Sequence, residues 1–158
     1  MKTTYILIAL ITGLCLSGAA CSNTAGVRKV NSTPDGVAVR GYDTVAFFVD
    51  NGAVQGNPSF EYAWNGAKWL FSSAENLERF KRDPDAYAPQ FGGYCSYAVS
   101  HGYTADGDPM SWNIVNGKLS LNYNQKAKEL WEKQQDQFIN DGEKNWVEFQ
   151  KKKPEHKG

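Results

Sequence analysis

Two Asn-Gly dipeptides constrain the fold of this chain more than any other feature. Each lies between two short runs rich in apolar and aromatic residues: Asn65-Gly66 between Phe60–Trp64 and Ala67–Phe71, and Asn116-Gly117 between Trp112–Val115 and Lys118–Asn122. Because Asn-Gly accepts the positive φ angles of a type I′ turn, each dipeptide predicts a two-residue β-hairpin. Asn51-Gly52, which follows Thr44–Val49, is a weaker third candidate.

A helix signal follows the first predicted hairpin. Ser72-Ser73-Ala74-Glu75 has the pattern of a capping box, in which Ser72 caps the first N–H groups of a helix and Glu75 reaches back. We expect this helix to end at Asp83-Pro84, because proline does not continue a helix. A short helical turn over Pro84–Ala88 is expected to follow it.

A second helical region follows the second hairpin. From near Asn124, five side chains recur at helical spacing on one face: Ala127, Leu130, Trp131, Gln134 and Phe138. Asn140-Asp141-Gly142 is predicted to end this helix, and a final helix carries Trp146 and Phe149. The order β-β-α-β-β-α-α predicts an α+β domain. Its small antiparallel sheet is built from the hairpins and packs with a capped central helix and C-terminal helices. No repeat of the solenoid type is visible in the sequence.

The N-terminus has the three parts of a secretory signal. Met1-Lys2 supplies a positive charge, Tyr5–Leu16 is apolar, and Ser17-Gly18-Ala19-Ala20 supplies small residues before a cleavage site. The apolar run is shorter than the roughly 20 residues that a membrane-spanning helix needs. We therefore expect an exported protein whose residues 1–20 are a signal peptide.

The cleavage zone ends at Cys21 and resembles the signal of a bacterial lipoprotein. Lipid on Cys21 would anchor the protein on the periplasmic face of the cell envelope, and Ser22 favours the outer membrane. Gly18 departs from the usual pattern, in which Leu stands three residues before the Cys. The alternative is ordinary cleavage after Ala20, which gives a soluble periplasmic protein. In that case Cys21 is free to form a disulfide with Cys95.

The remaining chain divides into a flexible tether over residues 21–33, a folded domain over 34–150 and a basic tail over 151–158. About 130 residues suit a single domain. The whole chain has 17 basic and 17 acidic residues. Without the signal and the lysine-rich tail, the folded body has about four more acidic than basic residues. We expect no nucleic-acid partner, because phosphate contacts need clustered Lys and Arg.

Four tracts resemble the longer exported proteins of the YHS-domain family. They are Gly41-Tyr42-Asp43-Thr44-Val45-Ala46-Phe47-Phe48, Phe71–Asn76 with Asp83–Pro89, Gly92–Ser100, and Trp112–Leu119 with Leu121-Asn122. The resemblance covers roughly Asp35 to Val147 and implies metal binding. Metal-associated members carry Phe-Cys-Ser-x-x-Cys-x-x-x-Phe at a strand–helix junction. Here Ser72 and Asn76 stand at the two Cys positions, so that thiolate pair is missing.

The segment Gln90–Trp112 holds the remaining candidates for a functional site. Cys95, His101 and Met110 are soft or borderline ligands that suit a transition metal such as copper. Gly92-Gly93 permits a close backbone approach just before Cys95. The first hypothesis is therefore an exported envelope protein that binds a metal ion through Cys95, His101 and Met110.

Two alternatives remain open. In one, Cys95 is buried and structural, and the protein is a non-enzymatic module whose aromatic segment Tyr94–Trp112 contacts an envelope protein or a small ligand. In the other, Cys95 and His101 act as the nucleophile and base of a thiol-based enzyme. The sequence has no P-loop, nucleophile elbow, dinucleotide fingerprint or His-Glu-x-x-His motif, so we expect no enzymatic activity.

Overall fold

The computed structural model of the protein describes residues 27–151. The predicted signal, Cys21 and the tail beyond Lys151 lie outside the described residues. The helices and strands follow in this order: α1 (Ala46–Val49), β1 (Asn57–Trp64), β2 (Ala67–Phe71), α2 (Ala74–Arg82), α3 (Pro84–Tyr87), α4 (Ser96–Ser100), β3 (Asp108–Val115), β4 (Lys118–Asn122), α5 (Gln125–Glu132) and α6 (Gln135–Lys151). Between residues 27 and 151, no helix has both the length and the apolar character needed to cross a membrane.

Both predicted Asn-Gly hairpins are confirmed. Asn65 and Gly66 join β1 to β2 with φ angles of 48° and 79°, and Asn116 and Gly117 join β3 to β4 with φ angles of 52° and 73°. These are the positive values that a type I′ turn needs. Among the described residues the hairpins form two separate two-stranded antiparallel sheets, each with a register shift in its first strand. The α+β class is therefore confirmed.

The third hairpin candidate, at Asn51-Gly52, is wrong. The residues before it form the short helix α1 instead of a strand. The side chain of Asp43 accepts hydrogen bonds from the backbone N–H groups of Val45 (2.9 Å) and Ala46 (3.3 Å). These bonds satisfy N–H groups that a helix start leaves without a partner.

The cap of α2 lies one residue later than predicted. Ser73, not Ser72, is the N-cap, and its hydroxyl accepts a hydrogen bond of 3.2 Å from the Asn76 backbone N–H. Glu75 forms an exposed ion pair with Arg79 instead of reaching back to the cap. Ser72 is thereby left to make a different contact, with Asp43. The helix end and the short α3 after Asp83 are confirmed.

The C-terminal helices break at a different place from the one predicted. α5 begins after its N-cap Asn124, as expected, but the break falls at Lys133 and Gln134, and α6 runs through Gly142 without interruption. A Cβ atom at Gly142 would lie 2.6 Å from Phe91 Cζ. The glycine therefore serves close packing of α6 against Phe91, and this packing outweighs its low helix propensity.

The core consists of two apolar clusters. The larger is built from the first sheet, α2 and β4, with Trp69, Phe71, Phe80, Leu119 and Leu121 among its fully buried members. The smaller joins Phe91, Tyr94 and Val99 to partly buried Val27, Trp146 and Phe149. α6 thus anchors the segment around Tyr94 by its apolar face.

Residues 27–33, placed in the tether from sequence, pack on the domain. Val30 is 5% exposed and belongs to the larger core cluster. The Asn31 backbone N–H donates a hydrogen bond of 2.9 Å to the Gly92 carbonyl. Gly92 has a φ of 60° and lies so close to the Lys29 backbone that no Cβ would fit there. The folded domain therefore begins several residues before position 34.

Candidate functional site

Cys95 lies at the start of α4 and is buried, with 1% of its surface exposed. Its backbone N–H donates to the Ala105 carbonyl at 2.8 Å, which fixes the chain direction there. Its Sγ accepts a hydrogen bond from the Ala98 backbone N–H at 3.4 Å and lies 3.9 Å from Asn122 Oδ1. The thiol therefore acts as a helix cap. Among the described residues it is the one free cysteine.

A groove of about 320 Å³ opens beside Cys95. Three aromatic, four small or aliphatic and two polar side chains line it together with Cys95: Tyr97, Tyr103, Tyr123, Ala98, Ala105, Ala127, Leu130, Asn124 and Lys126. Tyr103 and Tyr123 are 53% and 56% exposed, so their rings form an accessible rim. We call this feature the Cys95 groove.

The electrostatics of the Cys95 groove are simple. Lys126 is the one charged side chain among the described residues that line it. Behind the groove, Asn122 is fully buried and accepts a hydrogen bond of 3.2 Å from the Tyr97 backbone N–H. Its Nδ2 has no partner among the described residues. The site therefore offers an apolar surface with one positive charge at its edge.

His101 does not line the groove. It is the C-cap of α4, where its Nδ1 lies 2.7 Å from the Tyr97 carbonyl oxygen and 3.0 Å from Ser100 Oγ. Its ring packs on Tyr97 and Phe138, with centroids 4.2 and 5.2 Å away. The imidazole is thus held at the opposite end of α4 from Cys95.

Met110 lies on β3 and is 65% exposed. It is not among the residues that line the Cys95 groove. The structure therefore does not bring Cys95, His101 and Met110 together around one cavity. Within residues 27–151, no three His, Cys, Asp or Glu side chains lie close enough together to hold a metal ion.

A buried polar cluster around Asp43 is not among the sites predicted from sequence. Asp43 is fully buried, and its Oδ2 accepts hydrogen bonds from Ser72 N (2.8 Å), Ser72 Oγ (2.7 Å) and Asn76 Nδ2 (2.7 Å). Its Oδ1 accepts the two bonds from the start of α1. Asp43 stands in the Gly-Tyr-Asp-Thr tract, and Ser72 and Asn76 occupy the thiol positions of the metal-associated pattern. These three positions are the sequence signal that could have indicated the cluster.

The Asp43 cluster does not fit a soft metal ion. Its donors toward a metal would be oxygen and amide atoms, whereas copper(I) prefers thiolate or thioether ligands. Both carboxylate oxygens are already occupied by five hydrogen bonds from neutral donors. The arrangement is a closed network that ties the start of α1 to the junction of β2 and α2.

A family model described as YHS domain matches residues 45–91. This chain contains a YHS domain. The matched segment spans α1, the first hairpin, α2 and α3. The YHS-domain family is often linked to the handling of metals, including copper. The Cys95 groove begins just after the matched segment of the YHS domain. No curated protein and no solved structure matches the chain significantly.

A larger cleft of about 510 Å³ lies where the YHS domain meets α6. Both charged and aromatic residues line it, among them Lys29, Asp85, Lys118, Trp64 and Trp146. None of the site residues predicted from sequence lines it. We call it the junction cleft; it is the competing location for a ligand.

Proposed function

We propose that this YHS-domain protein is an exported, non-enzymatic binding module of the cell envelope. Its ligand is a small molecule with an apolar body and one acidic group, and the Cys95 groove receives it. The observation that carries the proposal is the groove itself. Small-molecule sites are concave and mostly apolar, with few polar groups and volumes of roughly 300–1,000 Å³. The Cys95 groove, at about 320 Å³, is at the lower end of that range.

The residues that line the Cys95 groove suit both the apolar body and the acidic group of the ligand. Tyr97, Tyr103 and Tyr123 supply large, rigid contact surfaces at little cost in side-chain entropy. The short side chains of Ala98 and Ala127 leave room in the groove for the ligand. Lys126 places a positive charge at the edge, where a carboxylate or sulfonate is favoured over a neutral group.

Fluorescence titration with anilinonaphthalenesulfonate tests the proposal, since this probe combines an apolar ring system with one acid group. We expect saturable binding at one site. Ala127→Leu should weaken it at least about tenfold, because the added side chain occupies the groove. Ala74→Leu is the matched control: Ala74 is exposed at the start of α2, and its variant should bind like the wild type. Equal binding by both variants and the wild type contradicts the proposal.

Metal binding is the second candidate, and the family match favours it. Of the three ligands predicted from sequence, Cys95 alone lines the groove, so a copper(I) ion there would rest mainly on one thiol. Copper(I) added to the protein at a one-to-one ratio should then be retained through gel filtration. Cys95→Ser should lose it, and His101→Ala and Met110→Ala should not. Retention by Cys95→Ser removes this candidate.

Export and the lipid on Cys21 belong to the same proposal. The evidence for them is the sequence pattern of residues 1–21. Native mass spectrometry of protein extracted from membranes reports the lipid, any metal and any retained small molecule together. Diacylglycerol mass on a chain that begins at Cys21 supports anchoring. An unmodified chain recovered from the soluble periplasmic fraction supports simple cleavage after Ala20.

A further inference from the structure

The two hairpins share one strand register. In the first, Asn57 pairs with Phe71 and Glu61 with Leu70, and a register shift separates the two pairs. In the second, Asp108 pairs with Asn122 and Trp112 with Leu121, with the same shift between them. The Asn-Gly turns stand at corresponding places, Asn65 and Asn116. A register shift at the same point of both hairpins is not dictated by the Asn-Gly turn.

The helix that follows each hairpin is also capped in the same way. Ser73 Oγ accepts from the Asn76 backbone N–H, and Asn124 Oδ1 accepts from the Ala127 backbone N–H. Each of these helices then buries one aromatic residue completely, at corresponding positions: Phe80 in α2 and Trp131 in α5.

The segments before the hairpins correspond as well. Three consecutive residues have positive φ angles in each: Val39–Gly41 with 49°, 52° and 82°, and Phe91–Gly93 with 53°, 60° and 85°. Such a run is rare, because side chains other than glycine disfavour positive φ. Each run ends in a glycine and is followed by a tyrosine, as in Gly41-Tyr42 and Gly93-Tyr94.

Asp43 and Cys95 occupy the same place after these runs. The backbone N–H of Asp43 donates to Val54 O at 2.9 Å, and that of Cys95 donates to Ala105 O at 2.8 Å. Asp43 Oδ1 accepts from the Ala46 backbone N–H, and Cys95 Sγ accepts from the Ala98 backbone N–H.

The residues that follow them match too. Thr44 and Ser96 are both buried, and the hydroxyl oxygen of each has no hydrogen-bond partner among the described residues. The correspondence therefore extends to the buried side chains that directly follow Asp43 and Cys95.

We infer that the chain holds two copies of one structural unit, residues 39–82 and 91–132, and that the Cys95 groove is the altered counterpart of the Asp43 cluster. Cys95 corresponds in position to Asp43, Tyr123 to Ser72 and Ala127 to Asn76. In the first unit the Asn76 amide fills the space and binds the carboxylate. In the second, Ala127 is too short to do so, and the groove opens there.

The counterpart relation deepens the proposed function and rests on it for the ligand. Ala127 becomes the residue that determines whether the second unit is open or closed. A bound molecule would occupy the place that polar side chains fill in the first unit. The family match, at residues 45–91, covers most of the first unit and ends where the second begins. Beyond its first residue, the second unit lies outside that match.

Rebuilding the closed cluster in the second unit tests the inference without any ligand. Cys95→Asp alone places a carboxylate in a buried position without the donors that Ser72 and Asn76 supply to Asp43. We expect Tm to fall by about 10 °C. Adding Tyr123→Ser and Ala127→Asn supplies those donors, and about half of the loss should be recovered. Without Cys95→Asp, the same two substitutions should not raise Tm.

The control keeps Cys95→Asp and Tyr123→Ser but replaces Ala127→Asn by Glu129→Asn, at an exposed position of α5. It should show no recovery. A triple variant that is no more stable than Cys95→Asp, or that folds no better, overturns the inference. Because this readout is thermal stability, it stands even if anilinonaphthalenesulfonate fails to bind, a result that would remove the proposed function alone.

The reciprocal change tests the two claims together. Asp43→Cys with Asn76→Ala should open a groove in the first unit, and the folded variant should bind two molecules of anilinonaphthalenesulfonate instead of one. A folded variant that still binds one molecule contradicts the equivalence of the two positions.

Discussion

The Asn76 amide donates a hydrogen bond of 2.7 Å to the carboxylate of Asp43, across 33 residues of sequence. Both side chains are buried, and Ser72 donates to the same oxygen from its hydroxyl and its backbone N–H. One carboxylate thereby holds the start of α1 against the junction of β2 and α2. The same place in the second unit is held by Cys95, and the groove opens beside it because Ala127 is too short to fill the space.

Asp43→Ala should destabilise the protein by at least about 3 kcal/mol, because hydrogen bonds to a buried charged group contribute roughly 1.5–3 kcal/mol each. The loss strands the Asn76 amide and the Ser72 backbone N–H without an acceptor. Urea unfolding followed by tryptophan fluorescence measures the change. Asp50→Ala is the control, since Asp50 is exposed at the other end of α1. A loss for Asp43→Ala within 1 kcal/mol of this control, a margin of about the usual effect of one point mutation, would show that the network is not structural.

Gly142→Ala should destabilise the protein, although alanine is the better helix former by roughly 1 kcal/mol. The added methyl group would meet Phe91 Cζ at 2.6 Å, and overpacking of this kind costs about 1–3 kcal/mol. Combining it with Phe91→Leu should recover part of the loss. Thermal unfolding distinguishes the two outcomes, with exposed Glu143→Ala as the control. A stabilised Gly142→Ala protein would mean that α6 does not pack closely on Phe91.

Alkylation of Cys95 by iodoacetamide should be slower in the folded protein than in urea by about two orders of magnitude or more, since reaction requires local opening. Peptide mass mapping separates this thiol from Cys21. Saturating anilinonaphthalenesulfonate should slow the reaction further, because the probe covers the groove that Cys95 lines. Fast alkylation of the native thiol would favour the thiol-enzyme alternative, which needs an exposed, reactive sulfur.

Lys126→Ala should weaken binding of anilinonaphthalenesulfonate about two- to fivefold, the usual effect of one exposed ion pair. Binding of phenylnaphthylamine, which has the same rings without the sulfonate, should not change. Lys128→Ala is the matched control, since Lys128 lies on the same helix but does not line the groove. Equal losses for both probes would assign Lys126 a packing role instead of a charge role.

The local features of the fold were predictable from sequence. Each Asn-Gly turn depends on the φ preferences of its own two residues, so both hairpins were found without knowledge of the tertiary structure. The cap of α2 was misplaced by one residue because Ser72 and Ser73 are equally good caps in isolation. The choice between them depends on Asp43, which is distant in sequence.

The errors have a common physical cause. Gly142 is a helix breaker by propensity, but its close contact with Phe91 is a tertiary effect. The segment 27–33 has the composition of a tether, but Val30 finds a place in the core. Asn51-Gly52 has turn chemistry, but the preceding residues are capped into a helix by Asp43.

The candidate site was predictable only in part. Cys95 is predictable as a candidate site residue because it is the single cysteine after Cys21, and it does line a groove. His101 and Met110 were grouped with it by ligand chemistry, whereas their positions depend on where α4 ends and where β3 runs. The correspondence of the two units was hidden from sequence because few residues are shared beyond Gly-Tyr, Asn-Gly and isolated core positions. It is visible in the strand registers and in the caps.

The most direct test of the central claim is NMR mapping of anilinonaphthalenesulfonate on the mature protein. We predict that the largest amide shifts fall on Tyr97, Ala98 and Ala127, around the Cys95 groove, and that Ala127→Leu strongly reduces them at the same probe concentration. Shifts centred on Trp64, Lys118 and Gln150, in the junction cleft, would contradict the account, as would no saturable shifts at all.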